Sequence, residues 1–340
     1  MNNYILQNEN AIFYECGYSC DNAIYLKLGN ESFFITDGRY EIDAKLNVNN
    51  CEVFITNDLV KLTRKLIKKS TIKKLYFDPN DFTLASFLQL TKNTKIKFIK
   101  QPYFSKVKRI VKTDDEINLL KMASSLGRTG FKEFALYLSK NGLKKSEQFL
   151  QFKAKEFMGK SGRFDLSFDP IVAFDKSSAK PHALPTSLKL KNNSVVLVDA
   201  GIKYKRYCSD RTCTSVFNDD IIFKREQKFK TKKQQKIYDI VLDAQQTAIK
   251  KARVGMKASK IDKIARDIIE KSGYGKQFVH STGHGVGLDI HEYPNISSRS
   301  DVIIEENMVF TVEPGIYLEN DFGVRIEDTV AMQNGKAIII

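Results

Sequence analysis

The sequence predicts an α/β (α+β) protein of two domains, a small α/β domain over residues 1–110 and a larger mixed domain over residues 111–340. Three observations carry this expectation. A chain of 340 residues exceeds what one hydrophobic core usually organises, and 42% hydrophobic composition is enough for two. The first hundred residues alternate short β-rich runs with helical patterns. Near residue 110 that alternation breaks at a helix-start signal, after which helices are grouped ahead of strands.

In order along the chain, residues 32–36, 52–56, 75–78 and 95–100 are rich in β-branched and aromatic residues and read as strands. Residues 40–46, 59–68 and 82–90 between them carry helical spacing. Thr113-Asp114-Asp115-Glu116 has the Thr-x-x-Glu form of a capping box and starts a helix expected to run to residue 138. A second helix is expected over 146–158, strands over 171–174 and 194–198, then helices over 234–252 and 259–271. In the last of these, Ile261, Ile264, Ala265, Ile268 and Ile269 form one buried face, read as core alone, and Gly273 supplies the stop. Residues 308–312, 323–326 and 337–340 close the chain as strands. Helices followed by strands occur twice in the second domain, the order an internal duplication would leave.

The formal charge of +15 raises the question of nucleic acid, but the excess is scattered lysine, not an arginine stripe interleaved with aromatics, so no nucleic-acid partner is expected. No run approaches the roughly 18 apolar residues of a spanning helix, and residues 1–10 lack a leader pattern, so a cytoplasmic protein without a membrane partner is expected. Five cysteines, an odd number with no Cys-x-x-Cys pair, read as free thiols.

The chemistry lies in the second domain. An apolar run ends in Asp199, and Asp210 follows eleven positions later in Tyr207-Cys208-Ser209-Asp210-Arg211-Thr212, so a hairpin is expected to set the two carboxylates opposite each other. Side by side they would repel unless a cation lay between them. All four histidines fall in this domain: His182, then His280, His284 and His291 within a dozen residues. Glu313 and Glu327 sit on further β-like runs. Singly, each of these residues is more often a turn former, strand-edge charge or core hydrogen-bonding group. Together Asp199, Asp210, His284, Glu313 and Glu327 offer four carboxylates and one imidazole, and four negative charges balance two divalent ions. Oxygen-rich ligation with one nitrogen suits Mn²⁺, Co²⁺, Fe²⁺ or Zn²⁺ and excludes a thiolate zinc site. Gly283-His284-Gly285-Val286-Gly287 is not a dinucleotide fingerprint, and Pro294 breaks any zincin helix begun by His291-Glu292. No Gly-x-Ser-x-Gly elbow is present.

At these residues, in the order Asp, Asp, His, Glu, Glu, the sequence resembles the pita-bread metallopeptidases. Val-Asp-Ala-Gly, Ser-Asp-x-Thr, Thr-Gly-His-Gly-Val-Gly-Leu, His-Glu-x-Pro, Glu-Pro-Gly and Val-Arg-Ile-Glu-Asp carry the likeness. Ile35-Thr36-Asp37-Gly38-Arg39-Tyr40 makes the first domain similar to that of the Xaa-Pro aminopeptidases and Xaa-Pro dipeptidases (prolidases), and methionine aminopeptidases lack such a domain. The resemblance implies a pita-bread catalytic domain, two divalent ions, manganese foremost, and a homodimer. It implies that Asp199 and Asp210 bind one metal with Asp210 bridging, that His284 binds the other, and that Glu327 bridges. It makes Glu313 a ligand that also relays protons, Arg325 an orienter of the acidic ligands, His182 and His291 substrate contacts, and His280 an active-site neighbour. The expected reaction is release of the first residue from a peptide with proline second, by a metal-bridging hydroxide. The alternatives are a prolidase restricted to dipeptides and a non-catalytic pita-bread binding protein. Phe174 to Lys180 departs from the commoner pattern, where small residues and asparagine are usual.

Overall fold

A computed structural model describes residues 1–340, which form two compact units, Met1–Lys108 and Arg109–Ile340. In the first unit the order is β1 (Asn3–Leu6), α1 (Glu9–Cys16), β2 (Ala23–Leu28), β3 (Glu31–Thr36), α2 (Glu41–Asn47), β4 (Glu52–Ile55), α3 (Leu59–Lys69), β5 (Lys74–Phe77), α4 (Leu84–Thr91), β6 (Lys97–Lys100) and α5 (Phe104–Lys108). One mixed six-stranded sheet in the order β4-β3-β2-β1-β5-β6 is the scaffold. Alternation along its strands sends side chains to two cores. Ile5, Ile24, Leu26, Phe33 and Ile35 meet Leu59 and Ile67 of α3 on one side. On the other, Tyr4, Leu6, Tyr25 and Phe34 pack on Ala11 and Ile12 of α1 and Ala44 of α2. The first strand, first helix and β2 were not foreseen, although all three belong to this sheet or its cover.

The second unit opens with α6 (Asp114–Asn141) and α7 (Glu147–Met158). Both halves of the capping box form: Glu116 N–H donates to Thr113 Oγ1 (3.2 Å), and Thr113 N–H to Glu116 Oε2 (2.8 Å). These helices cover a three-stranded antiparallel sheet of β7 (Ile171–Phe174), β8 (Val195–Ala200) and, after the short ribbon β9 (Lys203–Tyr204) and β10 (Tyr207–Cys208), β11 (Arg211–Val216). Phe131, Phe134 and Leu138 of α6 and Leu150 of α7 close a core on Val172, Val196 and Val198.

The pattern then repeats. Helices α8 (Lys232–Lys251) and α9 (Ala258–Lys271) precede β12 (Gly283–Gly285), β13 (Glu292–Ile296), β14 (Val309–Val312), the ribbon β15 (Gly315–Tyr317) and β16 (Gly323–Arg325), then β17 (Asp328–Gln333) and β18 (Lys336–Ile339). The five-stranded sheet runs β13-β12-β14-β17-β18. Ile261, Ala265 and Ile269 of α9 do enter its core, beside Phe310, Val330 and Met332. No helix is long and apolar enough to cross a membrane.

The expected hairpin is corrected in register. Val195–Ala200 and Arg211–Val216 do pair antiparallel, but Asp199 faces Thr212, and Asp210 lies just before β11, beyond the end of the pairing. Residues 207–208 belong to a separate ribbon with 203–204, so the stretch read as one strand breaks at Ser209 and Asp210. The break follows from a close approach: a Cβ on Gly201 would stand 1.8 Å from the Ser209 carbonyl oxygen, so two backbones meet where pairing would have continued.

Candidate metal centre

Asp199 ends β8, Asp210 leads into β11, His284 is the middle residue of β12, Glu313 follows β14, and Arg325 and Glu327 flank the gap between β16 and β17. These ends, with His182, His280 and His291, line one cavity of about 710 Å³, so all nine side chains singled out in the sequence open on the same space. They divide by depth. Asp199, Asp210, Arg325 and Glu327 are buried at its floor, whereas His182 and His291 are exposed.

The floor is held from behind by Arg325. Its Nη2 donates to Asp199 Oδ2 (2.6 Å), its Nε to Thr212 Oγ1 (3.0 Å), and its Nη1 to Tyr317 Oη (2.9 Å) and the Pro181 carbonyl (3.0 Å). Thr212 passes its own hydroxyl hydrogen to Glu327 Oε2 (2.7 Å). One oxygen of each of two carboxylates is thereby fixed, and the others, Asp199 Oδ1 and Glu327 Oε1, are buried without a partner. A buried, unsatisfied carboxylate oxygen is costly.

His284 is oriented by its own strand. The Gly285 carbonyl accepts from Nδ1 (3.0 Å), so Nδ1 carries the hydrogen and Nε2 presents a lone pair. That nitrogen lies 3.5 Å from Asp210 Oδ2 and 3.3 Å from Glu313 Oε1. Burial holds the imidazole below its ordinary pKa, which keeps it neutral. Acceptors thus face acceptors, and ligand atoms of Asp210, His284 and Glu327 all fall within 4.8 Å of one another.

The carboxylates respond as a crowded set must. Burial, then repulsion by Asp199 and Glu313, pushes Asp210 well above the usual range. Burial, then Asp210 and Glu313, does the same to Glu327. Burial raises Glu313 to about 7, while Arg325 and the Thr311 hydroxyl pull it down. Orphaned oxygens, an inward lone pair and raised acids all point to missing positive charge, and this donor set fits divalent cations.

His280 has a different character. Its Nδ1 donates to the Ser281 carbonyl (2.7 Å), so Nε2 accepts from the Tyr317 hydroxyl (2.9 Å), which in turn accepts from Arg325. Burial lowers its pKa to about 4. Both ring nitrogens serve the wall of the site. His291 instead packs against His284, with ring centroids 4.4 Å apart at 73°.

Several supporting residues escaped the sequence reading. Tyr317 sits on an apolar run with nothing to mark it, and Thr212 lay inside a noted motif without a role. Helix α9, read as core alone, also carries Asp262 and Arg266, whose i, i+4 spacing was the available signal. Asp262 Oδ1 accepts from the Thr282 hydroxyl (2.8 Å), and Arg266 Nη2 donates to the His280 carbonyl (3.0 Å), fastening the segment that leads to His284. Beyond it, buried Glu292 is held by Arg109 Nε (3.1 Å) and Lys112 Nζ (3.0 Å).

Comparison with known proteins agrees with this geometry. Residues 118–334 match the model of metallopeptidase family M24, and residues 1–111 match the creatinase/prolidase N-terminal domain. An uncharacterized peptidase of Bacillus subtilis is 31% identical over 340 residues, 98% of this chain and 92% of its own. The Xaa-Pro dipeptidase of Pyrococcus furiosus is 38% identical over 228 residues, 67% of this chain and 62% of its own. Among solved structures, an Xaa-Pro dipeptidase from Bacillus anthracis superposes with a TM-score of 0.91 at 32% identity, over 99% of this chain and 92% of that one. An X-Pro aminopeptidase from Thermotoga maritima does so at 0.87 and 30%, over 100% and 95%. A mixed α/β architecture, a cavity floored by acids and one inward imidazole, and these matches lead to one assignment: the chain is a metallopeptidase belonging to family M24, with a creatinase/prolidase N-terminal domain.

Proposed function

We propose that this metallopeptidase releases the first residue from peptides whose second residue is proline, using two divalent ions held by Asp199, Asp210, His284, Glu313 and Glu327. The observation that carries the reading is the facing of His284 Nε2 toward Asp210 and Glu313, with two orphaned carboxylate oxygens beside them. The names of the relatives supply the substrate class, since one solved neighbour is an X-Pro aminopeptidase. Bound divalent ions would supply a nucleophile from water near neutral pH and polarise the scissile carbonyl. Glu313, beside His284 Nε2 at the cavity floor, takes up the proton that the attacking water gives up and delivers it to the departing proline nitrogen. Arg325 keeps Asp199 aimed at the floor, while exposed His182 and His291 meet the peptide at the mouth.

Manganese is the proposed ion, as the oxygen-rich donor set suits it, with Co²⁺, Zn²⁺ or Fe²⁺ as alternatives. A cytoplasmic homodimer is proposed, its catalytic domain starting after residue 110. Free thiols suit that compartment, and exposed Leu136, Leu143, Phe149 and Phe152 offer apolar surface to a second copy.

A second reading, a prolidase confined to dipeptides, is favoured by an Xaa-Pro dipeptidase from Bacillus anthracis and a prolidase from Pyrococcus furiosus among the structural neighbours. Metal-titrated hydrolysis of an Xaa-Pro dipeptide beside Xaa-Pro-Yaa and an Xaa-Ala control separates the two. The aminopeptidase reading expects cleavage of the tripeptide and about 10²-fold less of the Xaa-Ala control, the discrimination one misfitted side chain commonly produces. Hydrolysis of the dipeptide alone selects the prolidase, and no turnover with any of these ions overturns both.

A further inference from the structure

A fully buried carboxylate away from the acidic floor has no place in the reaction so far. Glu147 is the first residue of α7 and is 0% exposed. Its Oε1 accepts from the backbone N–H of Phe174 (2.8 Å), and its Oε2 from the backbone N–H (2.9 Å) and hydroxyl (2.5 Å) of Thr186. Phe174 is the last residue of β7, and Thr186 lies twelve positions on. The segment between them carries His182, Leu184 and Pro185, all of which line the cavity. One carboxylate therefore closes both ends of the loop that forms a wall of the site.

The local structure makes Glu147 suited to this. A negative charge at a helix N-terminus is favoured by the helix dipole, and charge-assisted hydrogen bonds offset some of the cost of burial. The backbone of the helix start is stitched to the segment that leaves the loop, with Glu147 N–H on the Leu188 carbonyl (3.0 Å) and Gln148 N–H on that of Thr186 (3.2 Å). At the entry, Asp175 has the left-handed φ of +42° and accepts from Val195 N–H (2.8 Å) and the Ser194 hydroxyl (2.8 Å). The ring of His182 is exposed and lines the cavity, so the path of the loop backbone sets the point from which it reaches into that space.

We infer that Glu147 is a positioning residue for the peptide, acting through the loop 174–186 to fix His182 at the cavity mouth. Its catalytic consequence rests on the substrate reading above; its effect on the loop does not. Glu147→Gln preserves size but sets an amide NH₂ where one of two N–H donors needs an acceptor, releasing one end of the loop.

The test uses the metal-loaded, full-length protein as wild type, Glu147→Gln, His182→Ala and the double variant. Hydrogen exchange should quicken about tenfold or more at 174–186 in Glu147→Gln, with β8 and β11 unchanged. On an Xaa-Pro-Yaa peptide, Glu147→Gln should lower kcat/KM about tenfold in the wild-type background and less than twofold in the His182→Ala background, because the loop then has no His182 to misplace. Equal losses in both backgrounds, or exchange that does not change, overturn the inference. If Glu147→Gln does not fold, Thr186→Val removes one of the three hydrogen bonds and is held to the same two criteria. Should the wild type cleave no Xaa-Pro peptide, the substrate reading fails while exchange across 174–186 still decides the role of Glu147.

Discussion

Glu327 shows what an acidic floor costs a protein that must fold around it. One of its oxygens is satisfied by Thr212 and the other by nothing in the chain, and burial with two neighbouring acids holds its pKa well above the ordinary value. Replacing it by glutamine keeps the Thr212 hydrogen bond and removes one of the mutually repelling groups. The chelated Glu327→Gln protein should therefore melt no lower than chelated wild type, while bound metal falls below the wild-type content and kcat drops about 10²-fold or more, as expected when a function-bearing charge is exchanged for stability. The same groups set a pH dependence. Acids whose folded pKa is raised bind more protons folded than unfolded, so their contribution to the metal-free protein is greatest at low pH and is lost as pH rises, while His280 and His284, whose folded pKa values are depressed, contribute in the opposite sense. For Glu313 the loss runs from its ordinary 4.5 to about 7. In chelator, the melting temperature of Glu327→Gln relative to wild type should therefore rise from pH 5 to 7, since the variant lacks one of the groups whose contribution is lost. A difference that shrinks from pH 5 to 7, or a glutamine variant that melts markedly lower, would contradict this account of the floor.

At the scale of elements, backbones have to come together more closely than side chains permit. His284 occupies a strand only three residues long, flanked by Gly283 and Gly285. A Cβ on Gly283 would stand 2.0 Å from the Thr311 carbonyl oxygen, and one on Gly285 2.1 Å from that of Tyr293. Gly283→Ala must push β12 away from β14 and carry the imidazole with it. It should cost about 3 kcal/mol in stability, at the upper end for overpacking, and lower kcat/KM of the still-folded protein by about 10²-fold. Denaturant melts and kinetics below the transition check the two effects separately, and a stable variant with full activity would show that β12 has room. This geometry also explains which elements were legible. Long periodic helices such as α6, α8 and α9, and the apolar run of β8, announce themselves because a buried face repeats along the chain. A three-residue Gly-His-Gly strand has no period to read, and the two-residue ribbons β9 and β10 exist only because their partners are near. The misplaced register of Asp199 and Asp210 has the same origin: a Gly201–Ser209 contact ends the pairing, and spacing alone carries no trace of it.

At the scale of the whole molecule, the candidate ligands spread from residue 199 to 327 and are gathered by sheets that themselves lie in one of two compact units. Residue type and order single out Asp199, Asp210, His284, Glu313 and Glu327 as candidates, and Asp199, Glu313 and Glu327 stand out further because an acid on an apolar run is costly to bury. Tyr317 and Thr212 were not readable, since their value lies in contact with Arg325, and the i, i+4 spacing of Asp262 and Arg266 marks a pair without marking Thr282. Concentrating the donors in Arg109–Ile340 has a consequence for stability. A ligand that binds only the folded state stabilises it by about 2.7 kcal/mol at a hundredfold excess over Kd, and that gain falls on whatever unit must open to release it. The first unit has its own two cores, on the two sides of a sheet from which no ligand comes. Adding manganese to chelated protein should therefore slow hydrogen exchange in β8, β11, β12, β14 and β17 by up to about a hundredfold, and leave β1 to β5 within about twofold of their metal-free rates. Equal protection of both units would mean that the protein opens as one body, and metal would then act on a single transition spanning all 340 residues.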